Sequence, residues 1–342
     1  GLTLTYFADE FTNTTAVGFD TMLFNVWNLA LIIIAVYATF SIFQSEGAKA
    51  KLLSGVLASA ILAFLVYRAM GIEATAEISV AAPIFQQFNP FYVVALTPVS
   101  MAIFGSLARK GKEPSAPRKI AYGMLVAAIG FMIMAVGSNG LNTPNEQQRA
   151  IAVDKAEAFA KEYYTVAATA EDFETLKSDA EVAATIKPAT DFMGKLNKNT
   201  RPVFFDVYNA SVTVLKANEA EDNTAVAEAE ATLAAIKADT KPETRTSPYW
   251  LIFTYLILTF AELLLSPMGI SFVSKVAPPK LKGLMMGGWF VATAIGNMLV
   301  AVGGFLWAGL PLWSVWTVFI VLCLLSALFM FIMMKRLEAV TK

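Results

Sequence analysis

The chain has 342 residues, 56% of them hydrophobic and 15% charged, and its formal net charge is −1. Soluble domains carry roughly 25% charge, so the composition argues against an ordinary water-soluble fold, and no nucleic-acid partner is expected. There is no histidine and one cysteine, Cys323, which excludes a histidine metal site, a histidine proton relay and an internal disulfide.

The charge deficit is uneven. Apolar blocks of about twenty residues alternate with short charged loops, the pattern of helices that cross a hydrocarbon core of ~30 Å. The chain opens with GLTLTYFADEF, an apolar stretch running into acid; Gly1–Ala8 is expected to be part of a span. Full spans are predicted at Met22–Phe43, Leu52–Met70, Ile84–Leu107 and Ile120–Val136, then at Tyr249–Phe272, Gly283–Ala308 and Leu312–Met334. Counting through them puts Lys49 and Lys51, the loop Arg109 to Lys119, the loop Lys275 to Lys282, and the tail Lys335, Arg336 and Lys342 on one side. Asp9, Glu10, Asp20, Glu73 and Glu77 fall on the other. Basic excess marks the cytoplasmic side, so the C-terminus is expected in the cytoplasm. Trp250, Trp313 and Trp316 at span ends suit an interfacial belt. Arg68 is near enough to its span's outer end to snorkel.

Residues 145–245 interrupt this pattern. Acidic residues outnumber basic ones 18 to 12 there, and Gly194 is the single glycine. Apolar residues recur at helical spacing, as in Val153, Ala156, Phe159, Ala160 and Tyr163. A folded bundle of three to five helices is predicted, placed outside the cytoplasm. In the span before it, Gly123, Gly130 and Gly137 recur every seven residues and should let another helix approach closely.

One acid stands out. Of 27 acidic residues, only Glu262 lies at depth within a span. A carboxylate at the bilayer centre costs on the order of 2.5–3.5 kcal/mol on insertion scales and is by default a functional residue. Ser266 lies one turn on, on the same face, and Pro267 and Gly269 follow. Trp289, Thr293 and Asn297 make a stripe at i, i+4, i+8 in the next span. FQQFNPFY offers Gln86, Gln87 and Asn89 in an earlier one. If that earlier helix reaches back to Ile78, Asn89 and Glu262 lie at similar depth; if it starts at Ile84, Asn89 is shallower.

These residues carry a resemblance. FAELLLSPMGISFVSKVAPPKLKGLMMGGWFVATAIGN resembles the tenth and eleventh helices of the proton-dependent oligopeptide transporters of the major facilitator superfamily. QQFNPFYVVALTP resembles the eighth helix, and GLTLTYFADEFT the outer end of the seventh. The resemblance implies an all-α membrane protein, the C-terminal six-helix bundle of a major facilitator fold. On that map, residues 1–144 and 246–342 form the transmembrane bundle: partial helix seven at 1–8, an extra hairpin at 22–70, helices eight and nine at 84–137, and helices ten to twelve at 249–334. Residues 145–245 are the extracytoplasmic insert.

The resemblance further implies proton-coupled symport of di- and tripeptides across the cytoplasmic membrane by alternating access, with no cofactor beyond the coupling proton, no metal and no enzymatic chemistry. Glu262 would pair with the peptide's amino terminus and take part in proton coupling. Asn89 would help to hold that amine, and Trp289 and Thr293 would line the pocket; Ser266 joins the expected binding residues from its place on the Glu262 face. Pro267, Gly287, Gly288 and Gly296 are the expected hinges. The expected partners are the peptide, the bilayer, the N-terminal half of the transporter, whose motif-bearing helices are absent from this sequence, and an extracytoplasmic partner of residues 145–245. Two alternatives stand beside this reading: a same-fold transporter of a non-peptide solute, and a membrane-anchored extracytoplasmic interaction module.

Overall fold

The computed structural model describes residues 2–299, 303–304, 306–307 and 310–341. It divides into two compact units, one comprising the chain up to Leu141 together with the chain from Arg245 onward, the other Asn142–Thr244.

In the first unit, α1 (Leu2–Phe11) is followed by a three-residue strand, β1 (Thr15–Val17), and a 3-10 turn, Gly18–Phe24. A helical hairpin follows, α2 (Val26–Gln44) and α3 (Ala48–Met70). Next come β2 (Glu77–Ser79), a 3-10 turn at Ala82–Gln87, α4 (Phe88–Arg109) and α5 (Ala116–Gly137). After the second unit the chain resumes with α11 (Tyr249–Val276), α12 (Lys282–Leu299) and α13 (Leu312–Thr341). Six stretches among the described residues are long and apolar enough to cross a membrane: Val26–Gln44, Ala48–Met70, Ala82–Arg109, Ala116–Gly137, Tyr249–Val276 and Leu312–Ala339. The span expected at Gly283–Ala308 is a helix as far as Leu299; residues 300–302, 305, 308 and 309 lie outside the described residues.

Two small differences from the sequence reading have local causes. The eighth-helix segment does not reach back to Ile78, because Glu77–Ser79 pairs antiparallel with Thr15–Val17, with Ala16 opposite Ile78. Extended backbone there closes the base of the hairpin, and Pro83 at the start of the following 3-10 turn sets where helix begins. Trp316, expected in an interfacial belt, is instead fully buried, and its indole Nε1 donates to Ser138 Oγ at 2.8 Å. It joins Phe7, Phe11 and Trp307 in an aromatic core in which Phe7 and Phe11 stack and the other contacts are edge-to-face. Trp313 remains exposed. Arg68 does more than snorkel: its guanidinium donates to Asn28 Oδ1 at 2.6 Å and ties α3 to α2.

Helix α5 packs against α11 along its glycines. A Cβ on Gly123 would sit 2.8 Å from Leu265 Cγ, one on Gly130 2.9 Å from Leu258 Cδ2, and one on Gly137 2.6 Å from the Trp250 ring. The seven-residue glycine spacing therefore fixes how closely α11, the helix that carries Glu262, can lie.

The second unit contains α6 (Pro144–Tyr163), a short α7 (Asp172–Thr175), α8 (Ala180–Met193), α9 (Thr200–Glu219) and α10 (Asn223–Lys237). Thr143 and Glu146 form a capping box at the start of α6, and Asp179 and Asp222 cap α8 and α10. The core gathers Phe159, Phe173, Ile186, Met193, Phe204 and Tyr208. Burial pushes the Tyr163 hydroxyl up to about 12. The unit's two ends are tied by Gln147, whose Nε2 donates to the Thr244 carbonyl at 2.9 Å, and by Asn142, whose Nδ2 donates to the Pro242 carbonyl at 2.8 Å.

Candidate functional site

The helix α11 is apolar on nearly every face, so its few polar residues are informative. Tyr255, Thr259, Glu262 and Ser266 follow at intervals of four, three and four residues, which places them on one stripe of the helix. Glu262 is half-buried. The side-chain amide of Asn89, at the start of α4, donates to Glu262 Oε2 at 3.0 Å. This bond joins two helices 173 residues apart in sequence. It is a charge-assisted bond in apolar surroundings, the stronger class of hydrogen bond. Among the described residues, no Lys or Arg forms an ion pair with Glu262. The carboxylate thus has one neutral donor and unsatisfied acceptor capacity, suited to a cation or a proton.

Next to this pair lies a cleft of about 540 Å³ lined by Gln86, Gln87, Asn89, Pro90 and Tyr255. The lining carries polar groups and no charge. Pro90 falls in the first turn of α4, where a missing N–H does no harm. Gln86 is held in place by donating through Nε2 to Thr5 Oγ1 at 2.7 Å, which links α1 to the 3-10 turn.

The other residues singled out from sequence are placed as follows. Trp289 of α12 is half-buried with its six-membered ring edge against Gly269 of α11, where a Cβ would overlap it. That is two turns beyond Glu262, about 10 Å along the axis at 1.5 Å per residue. Ser266 is exposed, one turn from Glu262. Thr293 is exposed and its hydroxyl donates to the Trp289 carbonyl of its own helix at 2.9 Å. Gly287, Gly288 and Gly296 are exposed, and a Cβ at any of them would meet nothing within 4 Å. Pro267 lies inside an α11 that continues to Val276. So the structure brings Asn89 and Glu262 together, and Trp289 onto α11, while Thr293 bonds within its own helix and Ser266 stands exposed one turn from Glu262. Tyr255 and Thr259 were not singled out from sequence. Their signal was the shared stripe with Glu262, obscured because Tyr and Thr are unremarkable in apolar helices.

A family model described as POT family matches residues 56–197 and 210–304. Among curated proteins, the chain is 41% identical over 58 residues to a peptide transporter of Yersinia enterocolitica, covering 17% of this chain and 11% of that protein. It is 42% identical over 65 residues to dipeptide and tripeptide permease B of Salmonella typhimurium, covering 18% and 13%. It is 31% identical over 101 residues to solute carrier family 15 member 2 of Rattus norvegicus, covering 30% and 14%. The matched segments are therefore a minor part of each relative's length. No solved structure matches the chain.

Proposed function

The chain belongs to the POT family, and from that membership we propose that it supplies the C-terminal half of a proton-coupled symporter of di- and tripeptides. It is a multi-pass membrane protein of a transporter family and not an enzyme. In the proposed mechanism the two six-helix halves rock about a site near the bilayer midplane. The observation that carries the reading is the Asn89–Glu262 bond beside an uncharged cleft. A peptide's ammonium would take the open face of the Glu262 carboxylate, with the Asn89 side-chain carbonyl as a second acceptor. At 4 Å and an effective dielectric near 20, such a pair is worth on the order of 4 kcal/mol before desolvation. The similar proteins, a peptide transporter and a dipeptide and tripeptide permease, support this substrate class.

Trp289 would close one wall of the pocket, with Ser266 and Thr293 presenting hydroxyls to the peptide backbone. The open space around Gly287, Gly288 and Gly296 suits a helix that changes its packing during the cycle, with Pro267 as the matching weak point in α11. Glu262 would also accept the coupling proton, so that no cofactor is required. The peptide's carboxylate needs cations, which the N-terminal half must provide. The hairpin at 22–70 is read as an addition to the six-helix plan, and residues 145–245 as an extracytoplasmic insert that can receive a partner. The excess of Lys and Arg in one set of loops supports reading the C-terminus as cytoplasmic and the protein as one of the cytoplasmic membrane.

The test is uptake by the full-length protein in proteoliposomes under an inward proton gradient. Labelled dipeptide should accumulate and unlabelled di- and tripeptides should compete. Accumulation of a non-peptide solute that dipeptides do not displace would show the same fold serving another cargo. No transport at all, with function lost only on deletion of 145–245, would favour an anchored interaction module.

A further inference from the structure

Among the described residues, three buried side-chain atoms without a hydrogen-bond partner lie on the 3-10 turn that leads into Asn89 and on α11, the helix that carries Glu262. They are the Tyr255 hydroxyl, Thr259 Oγ1 and Gln87 Nε2. Tyr255 is 4% exposed and Thr259 is 0% exposed. Tyr255 and Gln87 both line the cleft that Asn89 also lines. Thr259 lies one turn beyond Tyr255 and just under one turn before Glu262 on the same stripe of α11. From Tyr255 to Glu262 the helix advances about 10 Å, a gap that two or three hydrogen-bonded waters bridge.

Leaving such groups unpaired in an apolar interior costs their desolvation with nothing to offset it. A membrane core offers no bulk solvent to relieve that cost. Buried waters in proteins take up this kind of site, where several otherwise unsatisfied polar atoms converge. Pairing a peptide's amine requires no hydroxyl at Thr259, because Asn89 and Glu262 already supply its acceptors; Asn89 lines the cleft, whereas Glu262 lies behind it, hydrogen-bonded to Asn89. A conduit for protons does require polar groups at this spacing.

We propose that Tyr255, Thr259 and Gln87 hold a short file of water that carries protons between the cleft and Glu262. The inference rests on the proposed role of Glu262 as proton acceptor. A hydronium ion at the cleft gives a proton to the first water. Each water accepts one proton and releases another along the file. The last O–H bond breaks as one forms on a Glu262 carboxylate oxygen, which becomes neutral. The three side chains only position the waters and end the step as they began it. They are positioning residues.

The experiment uses the full-length protein in proteoliposomes and measures two processes in H2O and in D2O: proton-driven dipeptide accumulation and gradient-free dipeptide counterflow. Thr259→Val keeps the shape and removes the hydroxyl, Thr259→Ser keeps the hydroxyl, and Tyr255→Phe removes only the phenol oxygen. Thr259→Val and Tyr255→Phe should lower accumulation about tenfold more than counterflow, equivalent to ~1.4 kcal/mol on the proton step, and should enlarge its solvent isotope effect. Thr259→Ser should restore accumulation and the isotope effect towards wild type. Equal loss of both processes would overturn the proposal in favour of a packing or peptide-binding role, and so would no loss in either. Should Thr259→Val fail to fold, Tyr255→Phe carries the same comparison. Glu262→Gln in parallel separates the two levels. If that variant loses accumulation while Tyr255→Phe and Thr259→Val keep it, only the water file falls; if it behaves as wild type, the role of Glu262 itself falls.

Discussion

Gly123→Ala is expected to disturb the site without touching any residue in it. A Cβ at this position would meet Leu265 Cγ at 2.8 Å, the Ala261 carbonyl oxygen at 3.1 Å and Leu264 Cβ at 3.2 Å. These three residues flank Glu262 in α11. Leucine side chains can rotate, but the Ala261 carbonyl is held in the helix, so α5 and α11 must separate by several tenths of an ångström. Overpacking of this kind costs typically ~1–3 kcal/mol. The intrinsic gain of alanine over glycine in a helix, about 1 kcal/mol, offsets part of it. Separation also pulls at the 3.0 Å bond between Asn89 and Glu262, so peptide affinity should fall together with stability. Gly105→Ala is the control, since a Cβ there meets nothing within 4 Å and the helix-propensity gain stands alone. The assay is thermal unfolding in detergent together with calorimetric dipeptide binding, on full-length protein. Gly123→Ala should unfold earlier than wild type and bind more weakly, and Gly105→Ala should do neither. If Gly123→Ala is as stable and binds as tightly as Gly105→Ala, the close approach of α5 and α11 does not set the geometry at Glu262.

Trp289→Ala should weaken dipeptide binding while leaving expression and insertion intact, because the ring lies half-buried against Gly269; a variant that fails to insert would mark Trp289 as a packing residue alone. The Glu146 carboxyl is held below the usual carboxylate range by its hydrogen bond from Lys241 and then by the Thr143 backbone N–H. The lowered folded value means that its contribution to the Asn142–Thr244 unit is complete above the ordinary carboxylate value and is lost as pH falls through the lowered one. Lys241→Ala should therefore flatten the acid limb of that unit's stability profile, followed by urea denaturation; an unchanged profile would refute the linkage. A cysteine introduced beside Asp179 should react with a membrane-impermeant reagent from outside the cytoplasm, and reaction from the cytoplasmic side alone would invert the topology.

Much of the fold was legible because membrane helices announce themselves by length and apolarity, and the spacing of Gly123, Gly130 and Gly137 gave a close-packing face on α5, though not that α11 is the helix packed against it. What sequence could not give was pairing at a distance. The β1–β2 bridge needs Ala16 opposite Ile78, and nothing in either three-residue stretch requires it. Trp316 looked interfacial because it sits near a span end, yet the Ser138 hydroxyl gives its indole a buried partner. Lys119 counted as a loop cation but is buried, paired with Glu113 and 4.3 Å over the Phe104 ring. At the site, Glu262 stood out by its charge and Asn89 by its neighbours, but depth counted from helix ends could not show that they touch. Asn89 lies only one residue into α4, and the preceding 3-10 turn brings it to Glu262. Tyr255 and Thr259 gave almost no signal, since their importance lies in missing partners, which only coordinates reveal.

The central claim is that Glu262 is the working acid of a peptide symporter. Glu262→Gln in the full-length protein tests it most directly, because glutamine keeps the size and much of the hydrogen bonding while removing the charge and the titratable proton. Dipeptide counterflow and proton-driven accumulation should be measured together in proteoliposomes. Loss of amine pairing weakens both, and loss of proton coupling abolishes accumulation while exchange persists. The account predicts that accumulation is abolished or severely impaired in either case. Wild-type rates for both processes would contradict it and leave Glu262 a structural acid hydrogen-bonded to Asn89.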